Sequence, residues 1–133
     1  MEGLSLNSAV LVVDDVPSTR MLIADMLREM GFSQIEEAGN GLEAISVAGR
    51  VKPGLVVCDC VMRGMSGVEL IRELRQDPEM KGVPAIMLSN NRDVPYIDAA
   101  IRAGADDYIV KPISFHILKR RIADVLKRHS PCC

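Results

Sequence analysis

The sequence predicts a three-layer α/β domain: a five-stranded parallel sheet, doubly wound, with helices on both faces. Three observations lead there. Five short apolar runs alternate with five amphipathic segments of helical period. The runs are rich in Val, Ile and Leu, as strands buried on both faces should be. The 133 residues suit one ordinary domain, with no internal repeat and no Pro/Gly/Ser linker to divide it. Right-handed crossovers leave few topologies for such a chain.

The first run, Ala9–Val13, leads into a helix that opens near Pro17 and stops at Gly31, with Ile23, Met26, Leu27 and Met30 at helical spacing. A weaker run surrounds Ile35. Asn40 and Glu43, spaced as a capping box, then open a helix whose stripe holds Leu42, Ile45 and Ala48. The third run, Leu55–Cys58, precedes a second capping box, Ser66 with Glu69, and a helix bearing Val68, Ile71 and Leu74. The fourth, Pro84–Leu88, precedes a helix capped by Asp93, carrying Ile97, Ala100 and Ile101 and closing at Gly104. The fifth, Tyr108–Val110, is followed by a helix that begins at Ser114 and buries Leu118, Ile122, Val125 and Leu126.

Composition narrows the function classes. With 48% hydrophobic and 26% charged residues, the chain is neither disordered nor fibrous. Its aromatics are Phe32, Phe115, Tyr96 and Tyr108, too few for base-stacking platforms. A formal charge of −2 gives no reason to expect direct nucleic-acid binding. The basic residues Lys119, Arg120, Arg121, Lys127 and Arg128 read as a solvated helix face. No apolar run approaches the ~20 residues of a membrane span, and the start lacks a signal-peptide pattern. The expected compartment is the cytoplasm, without membrane attachment. Cys58, Cys60, Cys132 and Cys133 fit neither a disulfide framework nor a zinc spacing. Cys58 and Cys60 face away from Asp59 by strand alternation, Cys58 as a small buried hydrophobe.

In an open parallel sheet, ligands bind beyond the carboxyl ends of the strands. There the sequence sets Asp14 and Asp15 after the first run, Asp59 after the third, Ser89 after the fourth and Lys111 after the fifth. Each has a plain reading alone: charge before a helix, a turn, a cap, a surface ammonium. Their coincidence at four strand ends is the signal. Three clustered carboxylates repel one another and call for a cation, and oxygen donors with room for water suit Mg²⁺ rather than zinc.

Here the chain resembles the receiver (response regulator) domains of two-component signalling, including the stand-alone chemotaxis-type regulator. The matching stretches are Leu11–Asp15 (LVVDD), Asp59–Gly67 (DCVMRGMSG), Leu88–Ser89 and Gly104–Pro112 (GADDYIVKP). The likeness implies a single receiver domain over residues 1–133, its core at about 9–129, with the flavodoxin-like strand order 2-1-3-4-5. It implies Asp59 as phosphoacceptor, attacking a phosphohistidine or a small phosphodonor. Asp15, Asp59 and the Val61 backbone carbonyl would ligate Mg²⁺, with Asp14 holding it through water. Lys111 would pair with one phosphoryl oxygen and Ser89 with another; Ser89 and Tyr108 would form the switch. The Lys111–Pro112 bond resembles the family's cis peptide. The implied partners are a sensor histidine kinase or phosphotransfer protein and a downstream protein. The downstream partner would meet the face of the fourth helix, fifth strand and fifth helix, including Tyr96, Arg102, Tyr108, Lys119 and Arg120. The chain would act as a monomer or a phosphorylation-dependent dimer, and would not be an enzyme beyond its own phosphorylation and dephosphorylation.

Two positions depart from the pattern. Arg63 stands where the family usually has Pro, and either faces solvent or brings a cation near the phosphate. Asn90 stands where a small residue is usual. Two rival readings are weaker. Gly39, Gly41 and Ala44 spell G-x-G-x-x-A, a dinucleotide fingerprint, but the strand before them is the weakest of the five. An aspartate-nucleophile phosphatase needs an acid two residues past Asp59, where Val61 stands.

Overall fold

The computed structural model describes residues 8–129. Strands β1 (Ala9–Val13), β2 (Gln34–Ala38), β3 (Leu55–Asp59), β4 (Ala85–Ser89) and β5 (Asp107–Val110) alternate with α1 (Pro17–Glu29), α2 (Gly41–Val51), α3 (Gly67–Gln76), α4 (Val94–Ala103) and α5 (Phe115–His129). All pairings are parallel and the order is β2-β1-β3-β4-β5. The expected α/β class and flavodoxin-like strand order therefore hold.

Alternation along the strands divides the core in two. Val10, Val12, Leu55, Val57, Ile86, Leu88 and Ile109 point to one side, where Ile23 and Leu27 of α1 and Leu118, Ile122, Val125 and Leu126 of α5 cover them. Leu11, Val13, Val56, Cys58, Ala85, Met87 and Tyr108 point to the other, against Ala44 and Val47 of α2, Leu70, Ile71 and Leu74 of α3 and Ala100 of α4. Strands β1, β3 and β4 are buried throughout, which is why they read as unbroken apolar runs. At the sheet's edge, β2 is mostly half-exposed and includes Glu36 and Glu37, so its apolar signal is weak.

Some expectations shift. β3 extends through Asp59, β4 runs through Ser89 and β5 starts at Asp107, so two site residues are terminal strand residues rather than loop residues. Leu42 is 72% exposed: it lies in the first turn of α2, at the rim of a cavity beside Asp15, while Ala44, Val47 and Ala48 face the core. Ile101 is 46% exposed because α4 turns its small residues, Ala100 and Ala103, inward. Ser66 and Glu69 form the expected reciprocal box. At α2 the reciprocity is displaced: Asn40 Oδ1 accepts from the Glu43 amide at 2.8 Å, but Glu43 Oε1 takes the amide of Gly39, not Asn40, at 2.9 Å. Asp93 occupies the N-cap position of α4 without a side-chain cap bond. Gly104 ends α4 with φ +117, and a Cβ there would meet Arg75. Lys111–Pro112 is cis. Cys132 and Cys133 lie outside the described residues.

Candidate functional site

The sheet order reverses direction about β1, whose two neighbours are β2 and β3, and this opens a crevice at the carboxyl edge. Register determines what meets there. Val13 pairs with Cys58, so Asp14 lies beside Asp59, one residue further along each strand. Asp59 pairs with Leu88, and Ser89 with Val110, which carries Ser89 and Lys111 to the same edge.

Asp14 is fully buried. Its Oδ1 accepts from the Val16 amide at 2.9 Å, and its carbonyl takes Arg20 Nη1 at 2.9 Å. Arg20 also pairs with Glu37 at 3.0 Å, so it fixes the turn after β1 against β2. Lys111 Nζ stands 3.4 Å from Asp14 Oδ2 and 3.4 Å from Asp59 Oδ1. Asp15 receives no bond from Lys111. Its Oδ2 accepts from the Arg63 backbone amide at 3.1 Å, with Arg63 Nε 3.6 Å away. The Arg63 side chain thus extends into solvent at 92% exposure while its guanidinium reaches back to Asp15.

Oxygens of Asp14, Asp15 and Asp59 all lie within 4.8 Å of one another. Burial raises the Asp59 carboxyl above its ordinary value of 3.8; Lys111 opposes this, and the like charge of Asp14 adds to it. Three carboxylates face one close ammonium in an open cleft that also includes Val61, Ser89 and Asn90. The donors are hard oxygens, the charge is in excess, and Asp15 and Asp59 line the open cleft while Asp14 lies buried behind them. That set fits a divalent cation such as Mg²⁺.

Ser89 and Tyr108 meet at one residue that sequence reasoning missed. The Asn91 amide donates to Ser89 Oγ at 3.1 Å, and the Tyr108 hydroxyl donates to the Asn91 carbonyl at 2.8 Å. Tyr108 is buried, its ring within the α2–α3–α4 half of the core. Cys60 shares that half. Burial, then the Asp59 charge, pushes the Cys60 thiol up, so it stays an un-ionised thiol. Only the spacing from Ser89 could have pointed to Asn91, because its contacts are largely through the backbone.

The dinucleotide reading fails on geometry. The Gly39 amide is taken by Glu43 and the Glu43 amide by Asn40, while Met65 occupies the space over Gly41 where a phosphate would approach.

Residues 10–123 match the family described as the response regulator receiver domain. The chain belongs to that family. It is 34% identical over 125 residues to chemotaxis protein CheY-3 of Vibrio cholerae, covering 94% of this chain and 96% of the relative. It is also 34% identical to the DNA-binding response regulator MtrA of Mycolicibacterium smegmatis, of which the alignment covers 53%. The solved structure of Vibrio cholerae chemotaxis protein CheY4 superposes with a TM-score of 0.85 at 27% identity, covering 90% of this chain and 98% of that one. This receiver is thus a signalling domain of the response-regulator family rather than a conventional enzyme. Receivers bind Mg²⁺ at an acidic pocket and engage histidine kinases and downstream effectors, and the Asp14–Asp15–Asp59 cluster has the composition of such a pocket. Among the described residues, no helix is long and apolar enough to cross a membrane.

Proposed function

We propose that Asp59 is the phosphoacceptor of this receiver. The observation that carries the reading is its position: a carboxylate at the end of β3, 3.4 Å from Lys111 and clustered with two more carboxylates, open to a cleft. One Asp59 oxygen attacks phosphorus. The P–N bond of a phosphohistidine, or the P–O bond of acetyl phosphate, breaks with its electron pair going to the leaving group, and an acyl phosphate forms.

Asp15, Asp59 and the Val61 carbonyl would hold Mg²⁺ directly, with Asp14 behind. When bound, the ion neutralises charge on the transferring group. Lys111 is placed to take one phosphoryl oxygen. Ser89 Oγ accepts from the Asn91 amide, and its hydroxyl stands at the same edge as Lys111 to donate to another.

The bond of Ser89 to the Asn91 amide and of Tyr108 to the Asn91 carbonyl supports these two as the switch pair. A phosphoryl group that recruits Ser89 strains the Asn91 segment and, through it, the hold on Tyr108. The readout is the α4–β5–α5 face, including Tyr96, Arg102, Lys119 and Arg120, offered to an acidic partner protein or to a second copy. The domain covers residues 1–133, acts as a monomer or phosphorylation-dependent dimer and makes no direct nucleic-acid contact. Free, buried Cys58 and Cys60 suit the reducing cytoplasm.

Incubation with acetyl phosphate and Mg²⁺ should add one phosphoryl group, stable in mild acid and labile to hydroxylamine. Asp59→Asn should refuse it; undiminished labelling of that variant at a mapped neighbour would overturn the assignment. NMR of α4 and β5 amides with a phosphate mimic tests the switch: Ser89→Ala should uncouple that face from the pocket, and an equal response in both proteins would exclude it.

A further inference from the structure

Charge at the pocket is divided unequally. Lys111 serves Asp14 and Asp59, at 3.4 Å from each. Asp15 is left to position 63, where two donors converge on one oxygen, Oδ2: the Arg63 backbone amide at 3.1 Å and the guanidinium Nε at 3.6 Å. A proline here could supply neither, having no N–H and no charge. The same carboxylate, 18% exposed, is one that the proposed metal site needs.

We infer that Arg63 acts as an internal cation for Asp15, competing with the divalent ion and weakening its binding. The inference rests on the metal-site reading above. In the cation-free pocket the guanidinium neutralises the carboxylate that Lys111 does not reach. When the site takes its ion, the guanidinium must give up Asp15 Oδ2 and swing into solvent. Its 92% exposure leaves room for that movement. The backbone amide is a different kind of competitor, since it moves only with the loop after β3. Position 63 therefore sets how much Mg²⁺ the pocket requires, separately from the residues that ligate it.

The test is direct Mg²⁺ titration of the whole chain without any phosphodonor, followed by calorimetry and by the Asp15 and Arg63 NMR signals. Arg63→Gln, which keeps the backbone amide, should tighten Mg²⁺ binding roughly threefold, the scale of an exposed ion pair. Arg63→Pro, which removes both donors, should tighten it further, to roughly tenfold. Arg63→Lys should stay near the parent. Arg92→Gln is the control, because Arg92 lies on the cleft rim and makes no ion pair among the described residues. Raising monovalent salt should shrink the Arg63→Gln effect. Equal tightening in Arg63→Gln and Arg92→Gln would reduce the effect to general charge and overturn the competition. So would unchanged affinity in Arg63→Gln and Arg63→Pro alike. If Asp15→Asn leaves Mg²⁺ affinity intact, the metal-site reading itself is wrong, an outcome distinct from either of these.

Discussion

At the amino end of β5, Asp106 and Asp107 have their charges matched. Asp106 accepts from the Ala85 amide at 2.8 Å, pairs with Arg75 at 3.4 Å and takes His129 Nε2 at 2.8 Å. Arg121 Nη1 reaches both Asp107 oxygens, at 2.6 and 2.7 Å. Arg75 also donates to the carbonyls of Gly104, Met80 and Lys81, so one side chain links the ends of α3 and α4 to the approach to β4. At the carboxyl end, Lys111 divides itself between two carboxylates while a third relies on an exposed arginine. The first cluster is finished and serves the fold. The second is left short of positive charge, which is unfavourable for folding but keeps the oxygens available to a ligand.

Substitutions at the two ends should diverge, beginning with the largest effect. Asp59→Asn should remove phosphoacceptance entirely yet stabilise the fold in the absence of divalent cation. The sign follows from its raised carboxyl: the folded state favours the protonated form, so the contribution of Asp59 is best below 3.8 and is lost as pH rises through the folded value. The gain from Asn should therefore be full above the folded value and fade toward 3.8, which melting curves across pH would show. Arg75→Ala, at the opposite end, should cost about 3 kcal/mol in urea unfolding, because it breaks a part-buried ion pair and leaves several carbonyls without their donor.

Lys111→Met should cost less, about 1–2 kcal/mol without divalent cation, since it leaves Asp14 and Asp59 unopposed. Millimolar Mg²⁺ should recover part of that loss and none of the Arg75→Ala loss. Recovery of both, or of neither, would dissolve the distinction between the two ends. Arg121→Ala should cost about 1 kcal/mol, since its guanidinium is partly exposed.

The sequence disclosed these two clusters unequally. Asp14, Asp15, Asp59, Ser89 and Lys111 were legible because each directly follows or ends an apolar run, and parallel strands bring such positions to one edge. Asp106 and Asp107 lie within the Gly104–Pro112 stretch, yet their role was hidden. Arg75 is 31 residues from Asp106, and nothing local marks the pair. The bond from the Arg63 amide to Asp15 spans 48 residues and involves a backbone donor, which no side-chain pattern announces. Among the elements, β2 was faint because an edge strand has less apolar surface to bury. Leu42 and Ile101 misled because helical spacing identifies a stripe without saying where the sheet beneath it ends.

The outermost position of β2 has a consequence for self-association. An edge strand offers unpaired amides and carbonyls to any other strand that can align with it. Here that edge carries Glu36 and Glu37, with Glu37 held in place by Arg20. Two copies approaching edge to edge would bring like carboxylates together, which discourages the sheet from growing from molecule to molecule. Replacing Glu36 and Glu37 with apolar residues would remove this guard, so light scattering should reveal intermolecular strand addition in that variant before it does in the parent.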